Sequence, residues 1–352
     1  MTYRPPQPTE AQQVVWPDEF GTRFTVFVDV EEEFDWRAPL SPRNRATTAM
    51  AAFPEAHARF ADRGVALNCM IDHPIVTDPA SVAILSRVVE DGRSEIGTQL
   101  HAWVNPPFEA PLTANESYAG NLPRALEAAK LETLTMMIAA AFGTSPRAYR
   151  AGRYGIGPNS FGLLAALGYR IDSSVRPGYD YSADGGPDFT MAKAAAFRSG
   201  GIVELPLTTV FTGHARRGGG GLYRALGHLP KARGLFARAR LLSRIALTPE
   251  DMPIAAALEA VAVAAGEGLR LFNLSFHSPS LMPGHTPYVR DAADLRRFHH
   301  WWTTMLNAFD RRGIRNASLD EILTALDQAS AVPAPDTERA ARCRTALLIR
   351  RY

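Results

Sequence analysis

Regular alternation of strand-like and helix-like segments constrains the fold of this chain more than any other feature. Apolar runs with strand character cover residues 23–30, 65–71, 94–97, 146–150, 169–172, 202–207 and 270–276. Helix-like segments separate most of these runs and cover residues 53–63, 79–91, 122–142 and 158–167. Because strands that alternate with helices form parallel sheets, the pattern predicts an α/β fold. About seven strands over this length favour a barrel over an open sheet.

The two ends of the chain differ in composition from its centre. Residues 1–20 form a polar, proline-rich N-terminal extension, residues 21–330 the predicted barrel, and residues 331–352 a tail that ends basic. The N-terminus has no basic segment followed by an apolar core, as a signal peptide would. No run approaches the roughly 18 apolar residues that a membrane helix needs. We therefore expect a cytoplasmic protein.

Charge and cysteine content exclude several classes of protein. The formal net charge is only +2, and the sequence contains neither an aromatic and basic RNA-binding motif nor a zinc finger. We therefore expect no nucleic-acid partner. Cys69 and Cys343 form no metal-binding motif, and they neither require nor exclude a disulfide.

A basic insertion interrupts the alternation before the last predicted strand. No acidic residue occurs from Leu205 to Pro249. Basic residues accumulate there, namely Arg216, Arg217, Arg224, Lys231, Arg233, Arg238, Arg240 and Arg244. We predict a helical insertion at about 212–247, which either is a solvated excursion or rests on an anionic membrane or saccharide surface. Residues 248–251 (Thr-Pro-Glu-Asp) predict the start of the next helix, and residues 318–321 (Ser-Leu-Asp-Glu) match a capping box.

The first predicted strand ends abruptly in carboxylates. The stretch FTVFVDVEEEFDW, residues 24–36, passes from an apolar strand to a cluster of acidic residues. Clustered carboxylates repel one another, whereas strand ends in α/β proteins are where substrates and metals bind. Asp29 and Glu31 point the same way in an extended chain, so one can bind a metal while the other takes a proton from water. We expect Glu32, Glu33 and Asp35 to lie in a solvated loop.

Two later apolar runs each end in a histidine. His101 follows EIGTQL, where its imidazole could ligate a metal or bind a sugar, and Trp103 could stack on a sugar ring. His277 follows FNLSF, where it could protonate a leaving group. His73 is a further candidate for the rim of the pocket. Structural roles are expected for His285, His299 and His300.

These three sites, in this order along the alternation, resemble those of the polysaccharide deacetylase family (NodB homology, carbohydrate esterase family 4). The resemblance covers roughly residues 20–325. It implies a distorted (β/α)7 barrel of the glycoside hydrolase/deacetylase type, which removes N- or O-acetyl groups from saccharides with a divalent metal. It also implies that Asp29 is the base and Glu31 a metal ligand, with one residue between them where the family has none. His277, in the run LSFH, would be the general acid.

A fourth stretch resembles the arginine motif by which the family orients its base. Residues 150–155 read RAGRYG and lack the family's usual proline, so Arg150 or Arg153 would take that role. Arg153 and Tyr154, together with Trp103, are the residues we expect to contact the saccharide. Asp172 resembles part of the family's fourth motif.

The metal-binding histidines of the family are only partly present. The family places two histidines four apart after a Glu-Ile-Gly strand. This chain has Gln99 and Trp103 there, or His101 and Asn105 after a slide of two residues. The resemblance therefore implies Glu31 and His101 as ligands of a divalent metal, with zinc the expected ion.

Three functions remain open from the sequence. The leading one is a hydrolase that removes acetyl groups from a saccharide in carbohydrate metabolism. The second is a catalytically inactive relative that binds saccharide through aromatic residues such as Trp36 and Trp103, which the missing histidines favour. The third is a metal-free hydrolase that uses Asp29, His101 and His277, although it would lack a Lewis acid for amide cleavage. The proton-transfer pair favours chemistry, because a binding module has no need of one.

Overall fold

The computed structural model describes residues 2–109 and 113–331, so most of the predicted C-terminal tail lies outside the described residues. Its strands are β1 Arg23–Val30, β2 Leu67–Ile71, β3 Glu95–Leu100, β4 Ala148–Ala151, β5 Ile171–Asp172, β6 Phe197–Ser199, β7 Ile202–Glu204, β8 Thr209–Thr212, β9 Ser243–Ala246, β10 Leu271–His277 and β11 Arg315–Asn316. Its helices are α1 Phe53–Ala61, α2 His73–Thr77, α3 Pro79–Val89, α4 Arg124–Phe142, α5 Ser160–Ala166, α6 Gly219–Gly227, α7 Ala232–Arg238, α8 Ile254–Gly266, α9 Ala292–Arg311 and α10 Leu319–Ala331. Each strand and helix range predicted from the sequence overlaps one of these elements.

The main sheet is built from parallel strands and curls into a half-barrel. Its strand order is β10-β1-β2-β3-β4-β5-β7-β6, with β11 paired to β1. Only the pairing of β6 with β7 is antiparallel within this sheet. The predicted α/β barrel-like fold is therefore confirmed. Because neighbouring parallel strands end at the same edge, residues at their carboxyl ends are brought together.

Irregular backbone bridges the gap between β7 and β10. The Thr208 amide donates to the Asn273 carbonyl at 3.0 Å, and the Ser275 amide donates to the Leu247 carbonyl at 3.2 Å. The side chain of Asn273 adds a bond from its Nδ2 to the Leu205 carbonyl at 2.7 Å. These contacts join the two sides of the half-barrel without a regular ladder of backbone hydrogen bonds. The barrel is distorted for this reason.

The register between β1 and β10 places two predicted site residues side by side. Asp29 is the Cα partner of His277 in this parallel pair. Both strands are almost fully buried, and α9 packs over them. Phe309 of that helix stacks on Phe24 of β1, with ring centroids 4.6 Å apart. The strand ends are thereby held in fixed relative positions.

The basic insertion forms a hairpin with helices at its tip. β8 and β9 pair antiparallel, and α6 and α7 lie between them. The insertion contains the helices α6 and α7, whereas the two strands that carry these helices have no clear sequence signal. No helix within residues 2–109 and 113–331 is both long enough and apolar enough to cross a membrane.

One predicted helix start is wrong and another is right. Residues 248–251 form a bend, and α8 begins only at Ile254, because the Thr248 hydroxyl accepts from the Glu250 amide instead of capping a helix. At α10, the Ser318 amide donates to Glu321 Oε2 at 2.9 Å and the Glu321 amide donates to Ser318 Oγ at 3.3 Å. These reciprocal bonds confirm the capping box.

A buried carboxyl on α4 predicts pH-dependent stability. Glu127 is 1% exposed. Burial raises its pKa to about 7, although Ser160 donates to it. The folded chain therefore holds a proton that the unfolded chain releases near pH 4.5, so this stabilisation falls by about 3 kcal/mol as pH rises from about 4.5 to about 7.

We expect Glu127→Gln to abolish that dependence. Denaturant unfolding at pH 5 and pH 8 should show the variant gaining stability relative to wild type at the higher pH. Glu132→Gln, on the exposed side of the same helix, is the matched control and should track wild type. An unchanged gap between Glu127→Gln and wild type at both pH values would contradict the assignment.

Candidate active site

A cavity of about 800 Å³ opens at the carboxyl ends of the parallel strands. Side chains from β1, β3 and β10, together with residues that follow β4 and β9, line it. The predicted site residues that reach this cavity are Asp29, Glu31, His101, Trp103, Arg153, Tyr154 and His277. The three sequence sites therefore converge on one cavity, where strand ends in an α/β fold place their ligands.

Asp29 is buried and paired with Arg150. Arg150 Nη1 donates to Asp29 Oδ1 at 2.6 Å, and its other contacts are the Ser173 carbonyl, the Ser173 hydroxyl and the Ser275 hydroxyl. Asp29 is 2% exposed and Arg150 is fully buried. The hydrogen bonds that hold the Arg150 guanidinium fix the orientation of the Asp29 carboxylate. Asp29 thus has the character of a positioned proton acceptor.

His277 lies beside Asp29 and is held by Glu250. Its Nε2 is 3.5 Å from Asp29 Oδ2, and its Nδ1 is 2.6 Å from Glu250 Oε2. Burial lowers the pKa of His277, but Glu250, Glu31 and Asp29 outweigh it and raise the pKa to about 10. The imidazole is therefore protonated at neutral pH and has the character of a proton donor.

Glu250 is a functional-site residue that the sequence reasoning missed. Besides contacting the imidazole, it accepts from the His277 amide at 3.1 Å and from the Ser280 hydroxyl at 2.5 Å. Although burial opposes ionisation, His277 and these donors lower the pKa of Glu250 below its usual value. The only local signal was that Glu250 and Asp251 are the first acidic residues after an acid-free stretch, and we interpreted them as part of a helix start.

Glu32 is buried, not solvated as predicted. It has no exposed surface, and its two oxygens accept from His101 Nδ1 and from Trp103 Nε1, each at 2.7 Å. Burial raises the pKa of Glu32, although its hydrogen bonds with Asp72 and Trp103 oppose the rise. Glu33 also has fixed partners, because its carboxylate accepts from the Thr48 hydroxyl and the Ala49 amide. The loop after β1 therefore turns inward, while Asp35 alone of the three is exposed.

Trp103 offers no free face for a sugar. The ring is 2% exposed and stacks on His101, with centroids 4.2 Å apart. Its N–H is already committed to Glu32. Trp36 is the more accessible indole of the cavity, being 37% exposed and edge-on to His277 at 5.4 Å.

His101 presents a free nitrogen to Glu31. With Nδ1 bonded to Glu32, Nε2 faces Glu31 Oε2 at 3.5 Å. That distance is close to the roughly 3.3 Å between two ligand atoms of one tetrahedral zinc ion. Glu31 Oε1 and Gln99 Oε1 are both buried without a hydrogen-bond partner. An imidazole lone pair and a carboxylate oxygen without a donor fit a divalent cation, while the other oxygen, Glu31 Oε2, accepts from Gln99 Nε2 at 3.3 Å. Glu32 orients the histidine as outer-shell carboxylates commonly do.

A second acidic cluster behind His101 fits a cation less well. Glu32, Asp72 and His101 approach one another closely enough to share an ion. However, Asp72 Oδ1 accepts from the Ile75 amide and Asp72 Oδ2 accepts from the Glu32 amide. Since both oxygens of Glu32 are also occupied, this cluster supports His101 and leaves the ligand role to Glu31 and its neighbours.

The other candidate residues from the sequence differ in their position relative to Asp29 and the cavity. Arg153 turns away from Asp29, because its backbone is left-handed with φ 56° and its guanidinium lies 4.1 Å from the Tyr118 ring. Tyr154, also left-handed with φ 58°, lies between Arg150 and the rest of the cavity. His73 and Asp172 are buried outside the cavity lining. The arginine beside Asp29 is therefore Arg150.

Gly152 leaves the space that His101 occupies. A Cβ at this position would lie 2.3 Å from His101 Cδ2 and 2.8 Å from the Leu100 carbonyl oxygen. Gly152→Ala should therefore displace the imidazole and destabilise the protein by about 2 kcal/mol. Denaturant unfolding measures the loss, with Gly162→Ala as the control because no atom lies within 4 Å of its added Cβ. Equal stability of the two variants would show that His101 can move freely.

Comparison with solved structures identifies the fold. A candidate polysaccharide deacetylase from Mycobacterium smegmatis matches with a TM-score of 0.51 at 17% identity, covering 94% of this chain and 98% of that chain. Peptidoglycan deacetylase PdaC from Bacillus subtilis matches with a TM-score of 0.40 at 10% identity, over 88% of this chain and 94% of that chain. A mutant of a family 4 carbohydrate esterase pseudoenzyme with restored activity matches with a TM-score of 0.42 at 9% identity, over 86% of this chain and 68% of that chain.

The sequence itself matches no protein-family profile and no curated protein. At such low identity, the first structural match shows the fold alone. The fold is an α/β half-barrel like that of the candidate polysaccharide deacetylase, in agreement with the fold that the three motifs imply.

Proposed function

We propose that this protein is a hydrolase that removes acetyl groups from a saccharide. The observation that carries the proposal is the juxtaposition of Asp29, ion-paired with Arg150, and His277, ion-paired with Glu250, at the base of one cavity. A carboxylate positioned as a base beside a protonated imidazole is what hydrolysis of an amide or ester requires.

Proton transfer follows from the contacts of each residue. Asp29, ion-paired with Arg150, would take the proton of the attacking water. His277, kept protonated by the surrounding carboxylates, would give a proton to the departing amine or hydroxyl group of the saccharide. Glu250 fixes the ring so that Nε2 faces the reacting atoms and Nδ1 does not. The two roles support N- and O-deacetylation equally.

A divalent cation fits beside this pair. Glu31 and His101 would hold it. When bound, such an ion would polarise the acetyl carbonyl and lower the pKa of a water molecule. We propose zinc, since a carboxylate and an imidazole are among its usual ligands. Glu32 would keep the imidazole in the tautomer whose Nε2 is free.

One observation favours a second function, binding of saccharide without hydrolysis. The two positions four apart after the Glu-Ile-Gly strand hold Gln99 and Trp103, so only one imidazole, His101, lies beside Glu31. A site with a single histidine holds zinc more weakly than one with two. The intact pair of Asp29 and His277 makes the hydrolase the better-supported function.

Calorimetric titration with zinc tests the proposal first. We expect one-to-one binding by the wild type that is lost in Glu31→Ala and in His101→Ala. His300→Ala, which alters an exposed histidine of α9, is the control and should bind as wild type does. Acetate release from chitin oligomers, measured with the same proteins, should follow metal occupancy. Saccharide binding without zinc binding or acetate release would favour the non-hydrolytic function.

A further inference from the structure

Two arginines line the same cavity beyond the carboxylates of the site. Arg176 follows β5, and Arg244 lies on β9 of the basic insertion. Their guanidinium carbons are 4.0 Å and 3.4 Å from the centroid of the Tyr179 ring. Arg176 is also 5.0 Å from the Tyr154 ring, whose other neighbour is Arg150 at 6.0 Å. A chain of arginines and tyrosines thus leads from Asp29 towards the insertion.

Neither Arg176 nor Arg244 forms an ion pair with a carboxylate in the part of the chain that the structure describes, although burial raises the pKa of nearby Asp251 and the charge of Arg176 partly opposes that rise. Their hydrogen bonds go to neutral acceptors, the Tyr181 hydroxyl at 3.1 Å and the Gly178 carbonyl at 2.7 Å. The Nε atoms of both are shielded from solvent and without a hydrogen-bond partner. By contrast, Arg153 in the same cavity has Asp184 at 3.7 Å. Asp251 also lines the cavity and forms no ion pair with either arginine among the described residues.

We propose that Arg176 and Arg244 bind a phosphate or diphosphate group carried by the saccharide. This inference rests on the proposed function, because it names the substrate class of the same cavity. Two guanidiniums without ion-pair partners match the double negative charge of a phosphate ester. A single sugar carboxylate would leave one of the two arginines without a partner. The tyrosine rings cover the guanidinium faces and leave their N–H edges to donate, which is the geometry that phosphate oxygens accept.

The proposed phosphate site gives the basic insertion a function in substrate binding. Its β8–β9 hairpin places Arg244 in the cavity, while its tip exposes Leu229 and Leu235 by 60% and 63%. Exposed leucines among basic residues are typical of contact with a lipid surface. The phosphate therefore has two sources to distinguish, a soluble sugar phosphate and a lipid-linked one.

Binding measurements test the anion site independently of hydrolysis. The probes are N-acetylglucosamine and N-acetylglucosamine 1-phosphate, titrated by calorimetry into wild type, Arg176→Gln, Arg244→Gln and the control Arg238→Gln. Arg238 is exposed and lies outside the cavity lining, so its replacement makes the same charge change elsewhere in the insertion. We expect wild type and the control to prefer the phosphorylated sugar by at least about tenfold, and each cavity variant to lose most of that preference.

The outcomes separate this inference from the proposed function. Asp29→Asn should retain the preference for the phosphorylated sugar even where it abolishes hydrolysis. Equal affinities of the wild type for both sugars, or a preference unchanged in both cavity variants, would overturn the inference and leave the hydrolase proposal standing. If a glutamine variant fails to fold, Arg176→Lys and Arg244→Lys replace it, because they keep the charge. Competition between inorganic pyrophosphate and the phosphorylated sugar for the wild type provides a further readout. Absence of that competition would also overturn the inference.

Vesicle sedimentation distinguishes the two sources of the phosphate. Phosphatidylcholine vesicles with and without a polyprenyl phosphate are mixed with wild type, the two cavity variants and Leu229→Ser/Leu235→Ser. Binding that requires the polyprenyl phosphate, the two arginines and the two leucines supports a lipid-linked saccharide. Selective binding of the soluble sugar phosphate without vesicle binding supports a soluble one. Binding of neither phosphate compound by the folded wild type would contradict the anion site.

Discussion

Replacing Asp29 by asparagine is expected to lower acetate release from an acetylated saccharide by at least about 1,000-fold. Positioned general bases contribute roughly 10²–10⁴ to rates, and the isosteric amide cannot accept the proton of water. The side chain is 2% exposed and bonded to Arg150 at 2.6 Å, so no second carboxylate in the described cavity has the same environment. The effect should fall on kcat, with the affinity for substrate little changed.

Asp35→Asn is the matched control for this prediction. Asp35 lines the same cavity from the exposed loop after β1. Among the described residues, its side chain accepts a hydrogen bond from the Arg37 amide alone. Its removal makes the same change of charge without touching Asp29. We expect activity within about threefold of wild type, because isolated exposed charges contribute little. Comparable losses in both variants would indicate a general electrostatic effect and argue against Asp29 as the base.

Replacing Arg150 by methionine is expected to destabilise the protein by about 3–5 kcal/mol. The change leaves Asp29 buried without its ionic partner, which is among the costliest single substitutions. It also removes donors to the Ser173 carbonyl and hydroxyl and to the Ser275 hydroxyl, which tie β4 to its neighbours. Denaturant unfolding at pH 7 measures the change in the free energy of unfolding.

A double variant shows how much of that loss comes from the unpaired carboxylate. Arg150→Met combined with Asp29→Asn removes both charges of the pair, so its stability should lie well above that of Arg150→Met alone. The difference reports the cost of the uncompensated Asp29. If the double variant were no more stable than Arg150→Met, the loss would come from packing and the serine contacts alone.

Local patterns predicted most of the architecture. The period of apolar residues located the principal strands and helices. The sequence did not predict β6, β8, β9 and β11, which have two to four residues each. Strands this short show no distinctive apolar periodicity. The capping box at α10 was readable because both of its partners lie within four residues.

The site was predicted in part for the same reason. Asp29 and His277 were identifiable because each ends an apolar strand, and the parallel pairing of those strands makes them neighbours. Glu32 was misjudged because its partner His101 lies 69 residues away and no local feature connects the two. Glu250 was misjudged likewise, since its partner His277 is 27 residues away. Contacts of this kind depend on where separate strands end in space.

The sequence by itself therefore determined the α/β alternation, the deacetylase-like order of motifs and the carboxylate and histidine at neighbouring strand ends. Those features are local, because periodicity and strand termini are written in consecutive residues. Only the tertiary structure decided that Arg150 and not Arg153 faces Asp29, that Glu32 and Glu250 orient the two histidines, and that Arg244 enters the cavity. Side-chain direction across a curled sheet and the path of a long insertion are set by packing between distant segments, which no run of neighbouring residues specifies.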